Sequence, residues 1–211
     1  MISMKTLAGF VTVAALSGAA LIGAAATAGP ETKTAAKVGE KAPTFTLTDT
    51  DGNTISLADY EGKVVVLEWF NPGCPFVVKH HEKNKTMDEL SKEFAEKDVV
   101  WLAINSGAPG KQGHGLELNK KMKEQWAISY PVLLDESGDV GRLYGAKTTP
   151  HMYIIDTTGT LVYAGGIDNN PSATTLGDVN YVRQALNEVL AGTAVSTPET
   201  KPYGCSVKYA N

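Results

Sequence analysis

The sequence predicts an α/β fold: a central mixed β-sheet flanked by helices, with a β-hairpin added at the N-terminal side. Three observations carry this. Apolar runs rich in β-branched and aromatic residues recur at 64–70, 99–104, 130–135, 151–156 and 161–166. Stretches with helical spacing separate the earlier runs, which is the order of strand–helix–strand units. The last two runs are joined only by Thr157-Thr158-Gly159, so the sheet closes with an antiparallel pair before a final helix.

Taken in order, the chain opens with Lys5 ahead of an uncharged stretch from Thr6 to Ala28 that ends Ala26-Thr27-Ala28. A basic start, an apolar middle and a small-residue end predict an export signal cleaved after Ala28, and hence a periplasmic or cell-envelope protein. The rival is an uncleaved anchor, for which the Ala/Gly content is poor. Residues 29–37 are a flexible lead-in, 38–192 the folded domain, and 193–211 a tail. The 211 residues carry a formal net charge of −4 with no Lys/Arg run, which argues against nucleic acid as a partner. No later run approaches spanning length, so the membrane enters only through the export signal.

Phe45-Thr46-Leu47 and Thr54-Ile55-Ser56-Leu57 flank Asp51-Gly52 and read as a hairpin. The run at 64–70 is continuous, as expected of a strand buried on both faces. Asn71-Pro72-Gly73 stops it, and Cys74 follows with Pro75 suited to the first position of a helix. The helix is expected to continue to about Lys97. Residues 106–115 hold four glycines and a proline and form a loop close to Cys74. Helices are expected at 116–126, 140–144 and about 178–190.

A thiol at a strand–turn–helix junction meets the positive end of the helix dipole, which stabilises the thiolate. Cys74 is therefore expected to be an exposed nucleophile, the alternative being an inert buried cysteine. Cys205, the other of two cysteines, lies in Gly204-Cys205-Ser206-Val207-Lys208. Glu68 sits six residues before Cys74 inside an apolar strand, where desolvation would fit it for proton transfer. An ion pair is the plainer reading of Glu68.

The opening Ala42-Pro43-Thr44-Phe45-Thr46-Leu47, the Leu57-x-x-Tyr60-x-Gly62-Lys63 link and the Cys74-bearing strand–turn–helix resemble the thioredoxin-like superfamily, in its redoxin/AhpC-TSA (peroxiredoxin-like) branch. The resemblance spans residues 38–208. It implies a thioredoxin-like fold and an enzyme of thiol redox chemistry, acting on protein thiols and disulfides or on peroxides with an unidentified electron donor and no cofactor. Val77 stands where a Cys-x-x-Cys protein has its second cysteine, so Cys74 needs a resolving thiol elsewhere. Cys205 is the candidate, with a permanent disulfide and an unlinked thiol as alternatives. The resemblance also places Thr149-Pro150 at the superfamily's cis-proline loop, with Pro75, Phe76 and His151 beside it as substrate-contacting positions, and gives Glu68 the place of a buried proton acceptor. No metal site is expected: copper-binding relatives need Cys-x-x-x-Cys, and position 78 is Val78. A non-catalytic module binding a partner or metal is the other reading of the same groove.

Overall fold

The computed structural model describes Met1 and residues 34–211; the predicted export signal lies outside them. The chain divides into units Met1–Thr32 and Lys33–Asn211, and the second is the one described. Its seven-stranded sheet comprises β1 (Thr46–Asp49), β2 (Thr54–Ser56), β3 (Val64–Trp69), β4 (Val99–Asn105), β5 (Val132–Leu134), β7 (Met152–Ile155) and β8 (Leu161–Gly165). The strand order is β2-β1-β5-β4-β3-β7-β8. Strands β3, β4 and β5 run parallel, and every other pairing is antiparallel. A separate two-stranded piece joins β6 (Thr148–Thr149) to β9 (Cys205–Ser206).

All six residues of β3 are buried, because both faces of the sheet are covered. One face carries Val64, Val66 and Phe70 against Met87, Leu90 and Phe94 of α2 (Thr86–Ala95) and Val182, Ala185 and Leu186 of α5 (Tyr181–Leu190). The other carries Val65, Leu67 and Trp69 against Val140 of α4 (Asp139–Leu143), Tyr144 and Tyr153. Helix α3 (Leu116–Gln125) leads into Trp126, which joins the first of these clusters. The hairpin forms as expected: Asp49 accepts from the amides of Asp51 and Asn53, closing the turn at Gly52.

Two expectations need correction. The helix after Cys74 is not continuous to Lys97. It comprises α1 (Pro75–Val78), a π-helical turn (Lys79–Lys83) and then α2. Asn84 N–H and Nδ2 both donate to the Lys79 carbonyl, and Lys85 takes a left-handed φ of 53°, which stops the first segment. The last helix starts at Tyr181 rather than 178, since Asn180 caps it by accepting from Arg183 N–H at 2.9 Å.

Candidate active site

Strand β3 ends against two neighbours at once: Trp69 N–H donates to the His151 carbonyl and Phe70 N–H to the Ile104 carbonyl. The chain then turns. Asn71 Oδ1 accepts from Gly73 N–H at 2.9 Å and the Asn71 carbonyl accepts from Cys74 N–H at 3.0 Å. The glycine-rich loop is fastened to this turn, with Gln112 Nε2 donating to the Gly73 carbonyl and Asn71 Nδ2 donating to that of Gln112. Cys74 is the extended N-cap residue of α1, with Pro75 in the first turn.

The sulfur is not exposed. Cys74 has 0 % relative exposure and its Sγ–H donates to the Thr149 carbonyl at 3.0 Å. The reason lies in the tail. Thr149 pairs with Cys205 across β6 and β9, which sets Cys205 beside the carbonyl that the Cys74 sulfur meets. The approach is close because position 204 is glycine: at φ 133° a Cβ there would collide with the Thr149 carbonyl oxygen. Further along, Val207 N–H donates to the Lys147 carbonyl, Ala108 N–H to that of Lys208, and Tyr209 Oη to that of Ala146. Both cysteines are free thiols. Burial, then its interaction with Cys74, push the Cys205 thiol up to about 11. Cys205 thus keeps its proton.

The Thr149-Pro150 bond is cis. Pro75 is exposed, while Phe76 is half-buried with its ring edge 5.9 Å from the Tyr203 ring. His151 is buried; its Nδ1 accepts from Lys147 N–H at 3.3 Å and lies 3.0 Å from Tyr153 Oη. Burial, then the Lys147 charge, hold His151 down at about 3. Glu68 is wholly buried and takes three hydrogen bonds: His81 Nε2 at 2.7 Å on one oxygen, Trp101 Nε1 and Tyr130 Oη, each at 3.2 Å, on the other. Burial and then the Glu68 charge hold the Tyr130 hydroxyl well above its ordinary range, so it stays a donor. The structure therefore gathers Cys74, Cys205 and Thr149 at one point, while Glu68 and His151 have partners of their own.

The AhpC/TSA family model matches residues 38–164, more than half of the chain. The chain belongs to the AhpC/TSA family. Its fold is thioredoxin-like. The family match covers the hairpin, Cys74 and the cis-proline loop and ends before Cys205. Among relatives, it is 33 % identical over 129 residues to the thiol-disulfide oxidoreductase ResA of Geobacillus thermodenitrificans, covering 60 % of this chain and 68 % of that one. It is also 29 % identical over 135 residues to ResA of Halalkalibacterium halodurans, covering 63 % and 71 %. A solved structure from Geobacillus kaustophilus matches with a TM-score of 0.74 at 31 % identity, over 82 % of this chain and 93 % of that one. A hypothetical protein from Sinorhizobium meliloti matches with 0.74 at 27 %, over 84 % and 97 %.

Around this family core stand residues to which the sequence reading gave no part in the site. Lys79 and His80, just beyond Cys74, and Asp168 are buried and meet the half-buried Tyr203 just before Cys205. The available signal was a lysine in a segment otherwise expected to face the core, between Val78 and His80. Trp101 and Tyr130 were legible only as apolar strand residues, although each has a polar atom that must find a partner when buried.

Proposed function

We propose that this protein is an exported thiol oxidoreductase of the redoxin type, in which Cys74 is the nucleophile and Cys205 its resolving partner. The observation that carries the reading is Cys205 paired in β9 to Thr149, the residue whose carbonyl the Cys74 sulfur meets. Val77 leaves no neighbour thiol in the helix, and the tail supplies one. The two sulfurs have different roles because Cys205 holds its proton and so is not the attacking thiolate.

With a peroxide ROOH, the Cys74 thiolate attacks the terminal oxygen and ROH leaves, giving a sulfenic acid. Cys205 then attacks that sulfur, water leaves, and a Cys74–Cys205 disulfide forms. With a substrate disulfide RSSR, Cys74 forms a mixed disulfide and releases RSH; Cys205 displaces the second RSH. Either route removes two electrons from the thiol pair, and an external dithiol donor returns them. The ResA name of the relatives supports the exchange route. Thr149 presents its backbone to the reacting sulfur, Pro150 turns the loop towards it, and Pro75, Phe76 and His151 border it. Glu68 is the proton acceptor of the strand beneath, and residues 38–192 form the catalytic domain with 193–211 as its resolving arm. The apolar segment ending at Ala28 directs the protein to the cell envelope.

Stopped-flow mixing of the reduced protein with hydrogen peroxide and with a model disulfide tests this, alongside disulfide mapping. Wild type should accumulate the Cys74–Cys205 disulfide, and Cys205→Ser should stall with the oxidant's product on Cys74. A Cys205 that stays a free thiol after every oxidant has reacted sinks the reading. The faster oxidant tells peroxidase from disulfide exchange.

A further inference from the structure

Lys79 is five residues beyond Cys74 and has 0 % exposure, yet the thiol chemistry above does not use it. Its Nζ donates to the carbonyls of Asn170 and Ser172, both at 3.0 Å, and to Tyr203 Oη at 3.2 Å, and it lies 3.4 Å from Asp168 Oδ2. Tyr203 Oη donates its one proton to Asp168 Oδ1. With that proton committed, the oxygen accepts from Lys79 and from His80 Nε2 at 3.0 Å. His80 therefore carries its proton on Nε2, and its Nδ1 is a bare acceptor with no partner among the described residues. The neutral ring agrees with a pKa lowered to about 4 by burial and then by the Lys79 charge.

Burial alone would raise the Asp168 carboxyl. Hydrogen bonds from Gly177 N–H, the Tyr203 hydroxyl and Asn170 N–H, with the Lys79 charge, hold it below its usual range. The cluster is thus a charged pair with its hydrogen-bonding positions filled, and the tyrosine oxygen is shared by all three side chains. Three segments meet there: the π-helical turn continuing from α1, the loop after β8, and the tail two residues ahead of Cys205. The Lys79 ammonium also stands 5.0 Å from the Tyr203 ring centroid. The β9 ladder is two residues long and the bonds of Val207, Lys208 and Tyr209 hold the tail beyond Cys205, so Tyr203 is the side-chain tie just ahead of the sulfur.

We infer that Tyr203 is a positioning residue for the Cys74–Cys205 couple: its hydroxyl, locked among Lys79, Asp168 and His80, ties the tail to the helix that carries Cys74 and so sets the effective concentration of one sulfur at the other. The inference rests on the proposed pairing of the two cysteines. Freeing the tail would strip the buried pair of a shared hydroxyl, so withdrawal of Cys205 is opposed from a site that touches neither sulfur. The disulfide is stabilised because its partners are already held together.

The test equilibrates wild type and Tyr203→Phe in graded mixtures of reduced and oxidised glutathione, quenches in acid, and reads the fraction of Cys74–Cys205 disulfide by mass. The expected result is a fall of about tenfold or more in the effective concentration for Tyr203→Phe, a positive shift of roughly 30 mV in the two-electron potential. A variant that loses thermal stability but keeps its redox equilibrium within about twofold overturns the inference, since a role confined to stability would not move the potential. Should Tyr203→Phe not fold, His80→Phe keeps a ring in place and removes one of the donors that lock the Tyr203 hydroxyl, leaving the Lys79–Asp168 pair whole. It must shift the equilibrium in the same direction, and no shift overturns the inference. Wild type that forms no Cys74–Cys205 disulfide defeats the underlying pairing instead, a result read before any variant is compared.

Discussion

Replacing Glu68 separates a buried charge from the hydrogen bonds it collects. In Glu68→Leu, Trp101 Nε1–H, the Tyr130 hydroxyl and His81 Nε2 all lose their acceptor inside the core. Each unsatisfied buried donor costs about 1–3 kcal/mol, and with one of the three re-pairing by local movement the total is roughly 2–6 kcal/mol. At about 2–4 °C per kcal/mol for a domain of this size, the unfolding midpoint should fall by about 4–24 °C. Glu68→Gln is far milder. Its carbonyl oxygen can serve Trp101 and Tyr130, and its amide can donate to His81 once that ring moves its proton to Nδ1, leaving about 1–2 kcal/mol for the lost charge-assisted bonds. Adding Tyr130→Phe to Glu68→Leu removes one orphan and should restore about 1 kcal/mol. Thermal unfolding followed by circular dichroism at constant pH reads all three. Equal stability of the Leu and Gln variants would refute the argument, because hydrogen-bond satisfaction is the only term that separates them by this margin.

Three further outcomes follow from the same geometry. Gly204→Val places a side chain against the Thr149 carbonyl, so it should lift β9 and speed iodoacetamide labelling of Cys74 by about tenfold or more; labelling at the wild-type rate would mean the tail is not what shields the sulfur. The pH–rate profile for alkylation of Cys205 should have its midpoint near 11, and Cys74→Ala should move it downward by removing the neighbouring thiol, although burial, the larger cause, stays; an unmoved midpoint contradicts the contact. His80 and His151 titrate at about 4 and about 3 in the fold, against about 6.5 when unfolded. The unfolded chain therefore binds more protons between those values, so stability is complete above about pH 6.5 and is lost as pH falls through that window. Unfolding midpoints that stay flat between about pH 6.5 and 4.5, above the carboxylate range, would contradict this.

The sheet was legible because its strands are short apolar runs bounded by turn residues, and the six buried residues of β3 are the clearest case. The Asn71-Pro72-Gly73-Cys74-Pro75 junction was legible for local reasons too, since turn and N1 preferences are fixed by a residue and its neighbours. What escaped was long-range. The break at Asn84 and Lys85 depends on a side-chain bond back to the Lys79 carbonyl, which no periodicity reveals. The burial of Cys74 depends on a strand from the far end of the chain, and a dipole argument made at the helix start cannot include it. Lys79 and Asp168 lie far apart in sequence, and neither is unusual until the other is placed beside it.

The second sulfur lies at the far end of the polypeptide instead of three residues on. A bond inside a four-residue motif encircles almost nothing, whereas one between Cys74 and Cys205 would enclose about 130 residues of chain. In the chain-entropy account, a ring of that size disfavours the denatured ensemble by roughly 4–5 kcal/mol. The oxidised molecule should therefore melt well above the reduced one, because the link restrains its unfolded chain rather than its folded one.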